Sequence, residues 1–222
     1  DYEYIEPGEG ADRESALRKL ASKGADIIFG IGFMFTDDIN QVSRDFPNQK
    51  FACVDYAAKP GERLPANLEA LKFKEEEGSC LVGAIAGLLT KTHTVGFIGG
   101  MKIPLIKKFE AGYQAGVRMV NPKARVLVGY AGVTGEAFKN PGKGKELALS
   151  QFGQGADIIF HASGSTGLGL FEAAREKGTL AIGVDSDQYG EAPGVVLTSM
   201  VKRVDVAVLE TIRAVLEKRF QS

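Results

Sequence analysis

The hexapeptide GADIIF occurs twice in this chain, at residues 24–29 and again at 155–160. Six identical residues within 222 indicate an internal repeat rather than coincidence. Each copy follows a helical pattern, and each is followed by a second helical pattern and a strand that ends in aspartate, at Asp55 and Asp185. The sequence therefore predicts one helix–strand–helix–strand unit used twice, and with it two similar lobes.

Short apolar runs alternate with helical patterns along the rest of the chain. Such runs are typical of parallel strands that are buried on both faces, and strict alternation predicts doubly wound parallel sheets. The pattern restarts near residues 89–95, which predicts an N-terminal lobe at 1–92 and a C-terminal lobe, with a final crossover helix, at 93–222. The alternating stretch YEYI, residues 2–5, predicts one further short strand. Two such lobes form a cleft at the carboxyl ends of their strands, where ligands bind.

The composition restricts the function classes. The chain is 44% hydrophobic and 25% charged, with a formal net charge of −1, so it has no general attraction for nucleic acid or acidic membranes. No apolar run reaches the roughly 18 residues that a membrane span needs, and the opening DYEYIEPGEG is not a signal peptide. Cys53 and Cys80 lie among apolar neighbours and are interpreted as buried free thiols, although the sequence leaves a disulfide open.

Two charged residues at predicted strand ends are the best candidates for ligand contacts. Asp185 ends an apolar strand, where a carboxylate is costly without donors, and it could accept two hydrogen bonds from vicinal hydroxyls. The alternative is an aspartate that caps the following loop. Lys202 lies between the last strand and the last helix, although surface lysines are the common case. Asp55 has a similar position to Asp185, and there the two interpretations weigh equally.

Aromatic and glycine-rich turns add further candidates. Phe33 and Met34 leave the first repeated strand at its carboxyl end and could stack on a flat ligand. Phe138 is a lone aromatic in a polar loop, where core packing does not readily explain it. The turn around Gly164 could offer backbone N–H groups to a ligand, but its glycine spacing does not match a dinucleotide fingerprint.

The sequence shows no catalytic constellation. Its two histidines are His93, at the predicted junction, and His161, which ends the second repeated strand and could donate to a ligand. One histidine without a partner nucleophile is weak support for catalysis. Metal-ligand spacing, a nucleophile elbow and a P-loop are all absent from the sequence. The pattern favours a binding protein without cofactor or metal over an enzyme such as a dehydrogenase or nucleoside hydrolase.

Four stretches carry a resemblance to a known family: YIEPGEGADRESALRKLASKGADIIFGIGFMFTD, FKEEEGSCLVGAIAGLLTKT, VGFIGGMKIPLIKKFEAGYQAGVRMVNP and GVDSDQYGEAPGVVLTSMVKRVDVAV. Together they resemble the basic membrane protein family, whose members are substrate-binding lipoproteins of ABC transporters, similar to bacterial purine nucleoside receptors. The similarity covers nearly the whole chain. It implies the fold of a type I periplasmic binding protein, in which two α/β lobes close on a ligand.

The resemblance also implies roles for single residues. Asp185 and Lys202 match the residues that hold the ribose hydroxyls in nucleoside-binding members. Phe33 and Phe138 match aromatic residues that sandwich the base, and the turn around Gly164 matches a contact to the sugar. The predicted ligand-binding residues are Phe33, Met34, Asp55, Phe138, Gly164, Asp185 and Lys202.

Family members carry an additional strand, loop and helix before the segment that matches Asp1, and a further stretch after the segment that matches Ser222. The resemblance therefore implies a first lobe that lacks its N-terminal strand within these residues. Either the chain is a fragment of a longer one, or the gap is closed by another chain or by a different strand order.

The predicted function is that of a solute-binding component that captures a purine nucleoside in the interlobe cleft by hinge closure and presents it to an ABC permease. The resemblance implies a periplasmic or cell-surface lipoprotein whose lipid anchor lies outside this chain. One alternative is a sugar or other small polar solute as ligand. Another is a cytosolic sensor or regulatory domain of the same fold.

Overall fold

The computed structural model of the chain describes residues 1–8 and 11–221. Its helices are α1 (Asp12–Ser22), α2 (Thr36–Asp45), α3 (Glu75–Leu89), α4 (Pro104–Val120), α5 (Pro141–Gly153), α6 (Gly167–Lys177) and α7 (Val204–Leu216). Its strands are β1 (Ile28–Ile31), β2 (Phe51–Val54), β3 (Leu68–Leu71), β4 (Thr94–Met101), β5 (Arg125–Gly132), β6 (Ile158–Ala162), β7 (Leu180–Asp185) and β8 (Val196–Val201). The short 3₁₀ turns are Phe33–Phe35, Gly135–Phe138, Gly164–Thr166 and Tyr189–Glu191.

The first compact unit comprises Asp1–Phe73 and the chain from Val204 onwards. Its three parallel strands lie in the order β1-β2-β3. Leu17 of α1 and Ile39 of α2 pack on one face of this sheet, while Ala207 of α7 packs on the other face. β2 is buried along its whole length, as expected for a strand with a neighbour on each side and a helix on each face.

The second compact unit, Lys74–Arg203, contains a five-stranded parallel sheet. The strand order is β5-β4-β6-β7-β8, so the chain leaves β4 toward one edge and then returns to build β6, β7 and β8 on the other side. Aromatic residues fill one face of the sheet, where the rings of Phe97, Tyr113 and Phe160 contact one another. The prediction of an α/β protein with parallel, doubly wound sheets in two units is confirmed.

The boundary between the units differs from the predicted one at residue 92, because α3 belongs to the second unit. α3 packs on α4 through glycines on both helices, which lets the two backbones touch. A Cβ atom on Gly83 would overlap the carbonyl oxygen of Tyr113, and one on Gly116 would overlap that of Cys80. Such close approach needs small residues, which explains GAIAG in α3 and GYQAG in α4.

The last helix also lies elsewhere than predicted. α7 belongs to the first unit rather than to the C-terminal lobe, since Val204 and Ala207 pack with Ala52, Val54 and Leu71. The predicted strand at residues 2–5 is wrong, because this stretch has no regular structure. Alternation alone does not make a strand; its backbone groups need a neighbouring strand to pair with.

Candidate ligand-binding site

The carboxyl ends of the strands in the second unit form its candidate binding surface. The chain leaves β4 toward one edge of the sheet and leaves β6 toward the other, which makes the β4–β6 boundary a topological switch point. Ligands of open α/β sheets bind outside the carboxyl ends of the strands at such a point. Gly164 lies in the turn after β6, Asp185 is the last residue of β7, and Lys202 directly follows β8.

Asp185 and Lys202 form the charged centre of this surface. The Lys202 Nζ atom lies 3.8 Å from an Asp185 carboxylate oxygen. The lysine side chain is 7% exposed, whereas the aspartate side chain is 53% exposed. The ammonium also lies over the Phe109 ring, 5.8 Å from its centroid, where a cation–π attraction stabilises it. The pair thus presents a half-exposed carboxylate beside a largely buried cation.

The backbone at Asp185 is in the left-handed region, with φ of 67°. Asp55, the corresponding residue of the first unit, has φ of 60°. Positive φ is uncommon for residues other than glycine, and such conformations cluster at functional sites. The repeat therefore reproduces a backbone conformation as well as a residue type at both strand ends.

Phe138 and Gly164 meet near the switch point. Gly164 has φ of 55°, and a Cβ atom there would lie 2.8 Å from the Phe138 carbonyl oxygen. The Ser165 hydroxyl donates to that same oxygen at 3.1 Å, and the Thr166 hydroxyl donates to the Ala137 carbonyl at 2.9 Å. Two turns from different strands are thereby joined at one edge of the sheet.

The ring of Phe138 is explained in part by core packing, contrary to the sequence interpretation. It is half-buried, lies against the backbone of Gly100 at the end of β4, and packs on the edge of the aromatic core. A Cβ atom on Gly100 would lie 2.6 Å from the ring's Cδ1. A predicted loop aromatic can thus be anchored by a glycine that is distant in the sequence.

The first unit carries the other three predicted residues. Phe33 and Met34 lie in the 3₁₀ turn directly after β1, and Asp55 directly follows the neighbouring strand β2. Met34 is 37% exposed, whereas the next residue, Phe35, packs against the core of this unit.

Thr36 ties the two turns of the first unit together. Its hydroxyl donates to the Phe33 carbonyl at 2.7 Å and accepts from the Ala57 N–H at 3.0 Å. The side chain is buried, so the turn after β1 and the turn after Asp55 are held as one assembly. The sequence alone does not single out Thr36, because threonine at a helix start is common.

His161 is not available to a ligand, contrary to the suggestion from the sequence. Its ring is fully buried, and burial lowers the pKa of His161 to about 4. The Nε2 atom lies 3.0 Å from the Gln188 side-chain oxygen. Gln188 belongs to the GVDSDQ segment, in which sequence analysis singled out the first aspartate alone.

The two cysteines are free thiols and are not joined by a disulfide. Cys53 is buried and Cys80 is partly exposed; both are free, and burial raises the pKa of Cys53 to about 12. Among residues 1–8 and 11–221, no group of three His, Cys, Asp or Glu side chains is placed to hold a metal ion. In the same ranges, none of the helices combines the length and the apolar character that crossing a membrane requires.

A comparison with solved structures indicates the class of protein to which this fold is similar. A solute-binding protein of an ABC transporter system from Aeropyrum pernix K1 is similar with a TM-score of 0.83 and 31% sequence identity, over 95% of this chain and 60% of that one. The solute-binding proteins of ABC transporters are therefore the class that this chain resembles in three dimensions.

The chain belongs to the Bmp family, described as ABC transporter substrate-binding protein PnrA-like, whose family model matches residues 2–222. The CD4+ T-cell-stimulating antigen of Listeria monocytogenes is 40% identical over 223 residues, which cover 93% of this chain and 60% of that protein. The ABC transporter nucleoside-binding protein BmpA of Lactococcus lactis is 30% identical over 224 residues, covering 93% of this chain and 62% of that protein. The chain thus spans about 60% of the length of these relatives.

Proposed function

We propose that this chain is the ligand-binding part of an ABC transporter's solute-binding component, and that its solute is a purine nucleoside. Asp185 and Lys202 hold the ribose hydroxyls, and an ABC permease receives the solute. The observation that carries the proposal is an exposed carboxylate beside a buried ammonium at the carboxyl edge of a doubly wound sheet. Membership of the family and the name of the Lactococcus lactis relative support it.

The chemistry of the pair suits a vicinal diol. A carboxylate accepts hydrogen bonds from two neighbouring hydroxyls, and an ammonium donates to their oxygens. Charge-assisted hydrogen bonds of this kind are stronger than neutral ones. Because the lysine side chain is largely buried beside Phe109, little rotamer freedom remains to be lost when a ligand arrives.

The ligand is held without covalent chemistry, so recognition and release are its whole cycle. Phe33, Met34 and Phe138 remain the predicted contacts to the base, Gly164 the predicted contact to the sugar, and Asp55 a further polar contact. We propose a periplasmic or cell-surface location with a lipid anchor outside these residues, as expected for a transporter's binding component.

The test is calorimetric titration of the protein in its full natural length with inosine and guanosine. Asp185→Asn keeps the shape and tolerates a left-handed backbone but removes the charge, so it should lower the affinity about a hundredfold. Lys202→Met should lower it about tenfold or more. Asp187→Asn, in the same loop, is the matched control for loss of one negative charge and should bind as the wild type does.

Unchanged affinity in Asp185→Asn would refute the proposed site. Titration with ribose alone separates the ligand classes, since a nucleoside receptor should bind ribose far more weakly than inosine. Ribose binding as tight as inosine binding would favour a sugar-binding protein instead. A mass spectrum of the small molecule that co-purifies with the protein identifies the solute independently.

A further inference from the structure

We infer that His161 and Gln188 are positioning residues that hold the backbone of Asp185 in its ligand-receptive conformation. The inference rests on the proposed function, because it concerns the same carboxylate. His161 lies on β6, Asp185 ends β7, and Gln188 lies three residues further along the chain. Neither His161 nor Gln188 is proposed to touch the ligand.

The side chain of Gln188 turns back onto the sheet. Its side-chain oxygen accepts from the Val184 N–H at 2.8 Å and lies 3.0 Å from Nε2 of His161. The backbone N–H of Gln188 donates to the Ser199 hydroxyl at 3.0 Å. Three adjacent strands, β6, β7 and β8, therefore fix one residue of the Asp185 loop.

Space for this arrangement comes from Gly183. A Cβ atom on Gly183 would lie 2.8 Å from the Gln188 side-chain oxygen and 2.6 Å from the Ser199 hydroxyl. Any other residue at this position would displace the glutamine. The first residue of GVDSDQ is thus glycine because only glycine leaves room for the side chain of the last residue, Gln188.

The hydrogen-bond partners assign the tautomer of His161. The Val184 N–H can only donate, so the Gln188 atom that it faces is the amide oxygen. The Nε2 atom of His161 must then carry the hydrogen, and its Nδ1 atom accepts from the Ser163 hydroxyl at 3.2 Å. Burial favours this neutral form, because the ring has no contact with solvent.

The imidazole ring is itself held in place. Its edge meets the Phe171 ring at a centroid distance of 5.4 Å, and a Cβ atom on Gly167 would overlap it. The ring therefore fills the gap between β6 and the start of α6. A fully buried histidine with both ring nitrogens hydrogen-bonded has one orientation, so it supplies a rigid donor to Gln188.

His161 and Gln188 act on the Asp185 carboxylate through the backbone. Val184, whose N–H is bound by Gln188, directly precedes Asp185, and the carbonyl of Asp185 accepts from the Lys202 N–H at 2.9 Å. The Ser186 N–H donates to the Val184 carbonyl at 2.8 Å. The left-handed conformation at Asp185 is thus stabilised on both sides while its side chain stays half exposed. Preorganisation of this kind removes an ordering cost from binding.

The experiment compares His161→Leu, His161→Gln and Gln188→Ala with wild-type protein in its full natural length. His161→Leu fills the buried space with an apolar side chain but removes the Nε2 donor, so inosine affinity should fall about tenfold. His161→Gln places an amide N–H₂ near the position of Nε2 and should restore affinity to within about threefold of wild type. Gln188→Ala should match or exceed the loss in His161→Leu.

Leu170→Ala is the control for a general loss of stability. Leu170 is fully buried in α6 on the same side of the sheet, and its side chain has no group that could hydrogen-bond to Gln188. This variant should lower the unfolding midpoint as much as His161→Leu or more, yet bind inosine as the wild type does. Wild-type affinity in His161→Leu, or equal losses in Leu170→Ala and His161→Leu, would overturn the inference.

Amide hydrogen exchange without ligand provides a second readout. The Val184 and Gln188 amides should exchange at least about tenfold faster in His161→Leu and recover in His161→Gln. If wild-type protein binds no nucleoside at all, the proposed function fails, and the positioning role is then decided by this exchange alone. Unchanged exchange of both amides in His161→Leu would overturn it.

Discussion

The two copies of GADIIF follow the same backbone path in different surroundings. In both, a strand leads through a three-residue 3₁₀ turn into a helix, and the helices start at Thr36 and Gly167, which are as far apart as the two hexapeptides. Among residues 1–8 and 11–221, β1 pairs with β2 alone, whereas β6 lies between β4 and β7. Ile31 at the end of β1 is accordingly 57% exposed, while Ala162 at the end of β6 is buried. The two copies keep one local conformation beyond the identical residues, and the neighbouring strands decide the burial.

In both copies one large side chain fills the space between the repeated strand and the helix that follows it. The large residue and the glycine that makes room for it lie on opposite elements in the two copies. In the first copy Phe35 fills this gap, and Gly30 on the strand leaves room for it; a Cβ atom there would lie 2.9 Å from the Phe35 Cβ. In the second copy His161 on the strand fills the gap, and Gly167 at the helix start leaves the room. This difference brings a polar ring into the second copy alone, and this ring reaches the loop of Asp185.

Each copy thus anchors its closing aspartate loop by a different polar residue. Thr36 accepts from the Ala57 N–H in the first unit, and His161 binds Gln188 in the second. The second arrangement is more extensive, since Gln188 also binds β7 and β8. This difference suits the proposal that Asp185 carries the ribose contacts, because a carboxylate that recognises a diol needs a fixed position.

The largest expected effect comes from adding a methyl group at Gly167, in the space that the His161 ring occupies. Gly167→Ala should destabilise the second unit by about 3 kcal/mol, because the new methyl group overlaps a buried ring that cannot move. The measurement is urea denaturation followed by pulsed hydrogen exchange of peptides from residues 94–203. Gly30→Ala should destabilise the first unit, and less strongly, since its nearest contact is longer.

Gly153→Ala is the matched control for Gly167→Ala. Gly153 ends α5, and a Cβ atom there would meet no atom within 4 Å. This change should be neutral or slightly stabilising, since alanine favours helix over glycine. An unchanged second unit in Gly167→Ala would show that His161 can leave the gap, and the proposed contrast between the copies would then be wrong.

The second effect is a pH dependence that only the second copy should show. An unfolded histidine titrates near its ordinary pKa, about 6.5, whereas burial lowers the pKa of His161 to about 4. As the pH falls, the unfolded chain therefore takes up the proton first. The stabilisation is fully present above about pH 6.5, decreases as the pH falls toward the folded-state pKa, and should be lower by about 2 kcal/mol at about pH 5.

The comparison with His161→Gln isolates this contribution. Other groups also titrate in acid. For example, burial raises the pKa of Glu110, but the hydrogen bonds from Lys107 and the Tyr130 hydroxyl together lower it below its ordinary value. These groups act equally in both proteins, so the difference in unfolding free energy between wild type and His161→Gln should change by about 2 kcal/mol from pH 7 to pH 5. A difference that does not change with pH would place the ring in contact with solvent.

Much of the fold follows from periodicity and repetition in the sequence. Apolar runs and helical patterns suffice for β1, β6 and the helices after them, because a parallel sheet buries both faces. The placement of α3 and α7 does not follow, since α3 is placed by its close backbone contact with α4 at Gly83 and α7 by its packing on β2 and β3. Asp185 could be singled out because a carboxylate after an apolar strand is conspicuous. Gln188 could not, because its role exists only once three strands are adjacent.

The smallest expected effect tests the anchor of the first copy. Thr36→Val keeps the shape of the side chain but removes the hydroxyl, which leaves the Ala57 N–H without its acceptor and should destabilise the first unit by about 1 kcal/mol. Urea denaturation followed by pulsed hydrogen exchange of peptides from residues 11–73 measures this change. Thr36→Ser retains the hydroxyl and should lose less. If Thr36→Ser loses as much stability as Thr36→Val, the methyl group rather than the hydrogen bond holds the turn.

Because each copy has its own anchor, Thr36→Val should leave amide exchange in residues 180–203 unchanged, and His161→Leu should leave amide exchange in residues 28–57 unchanged.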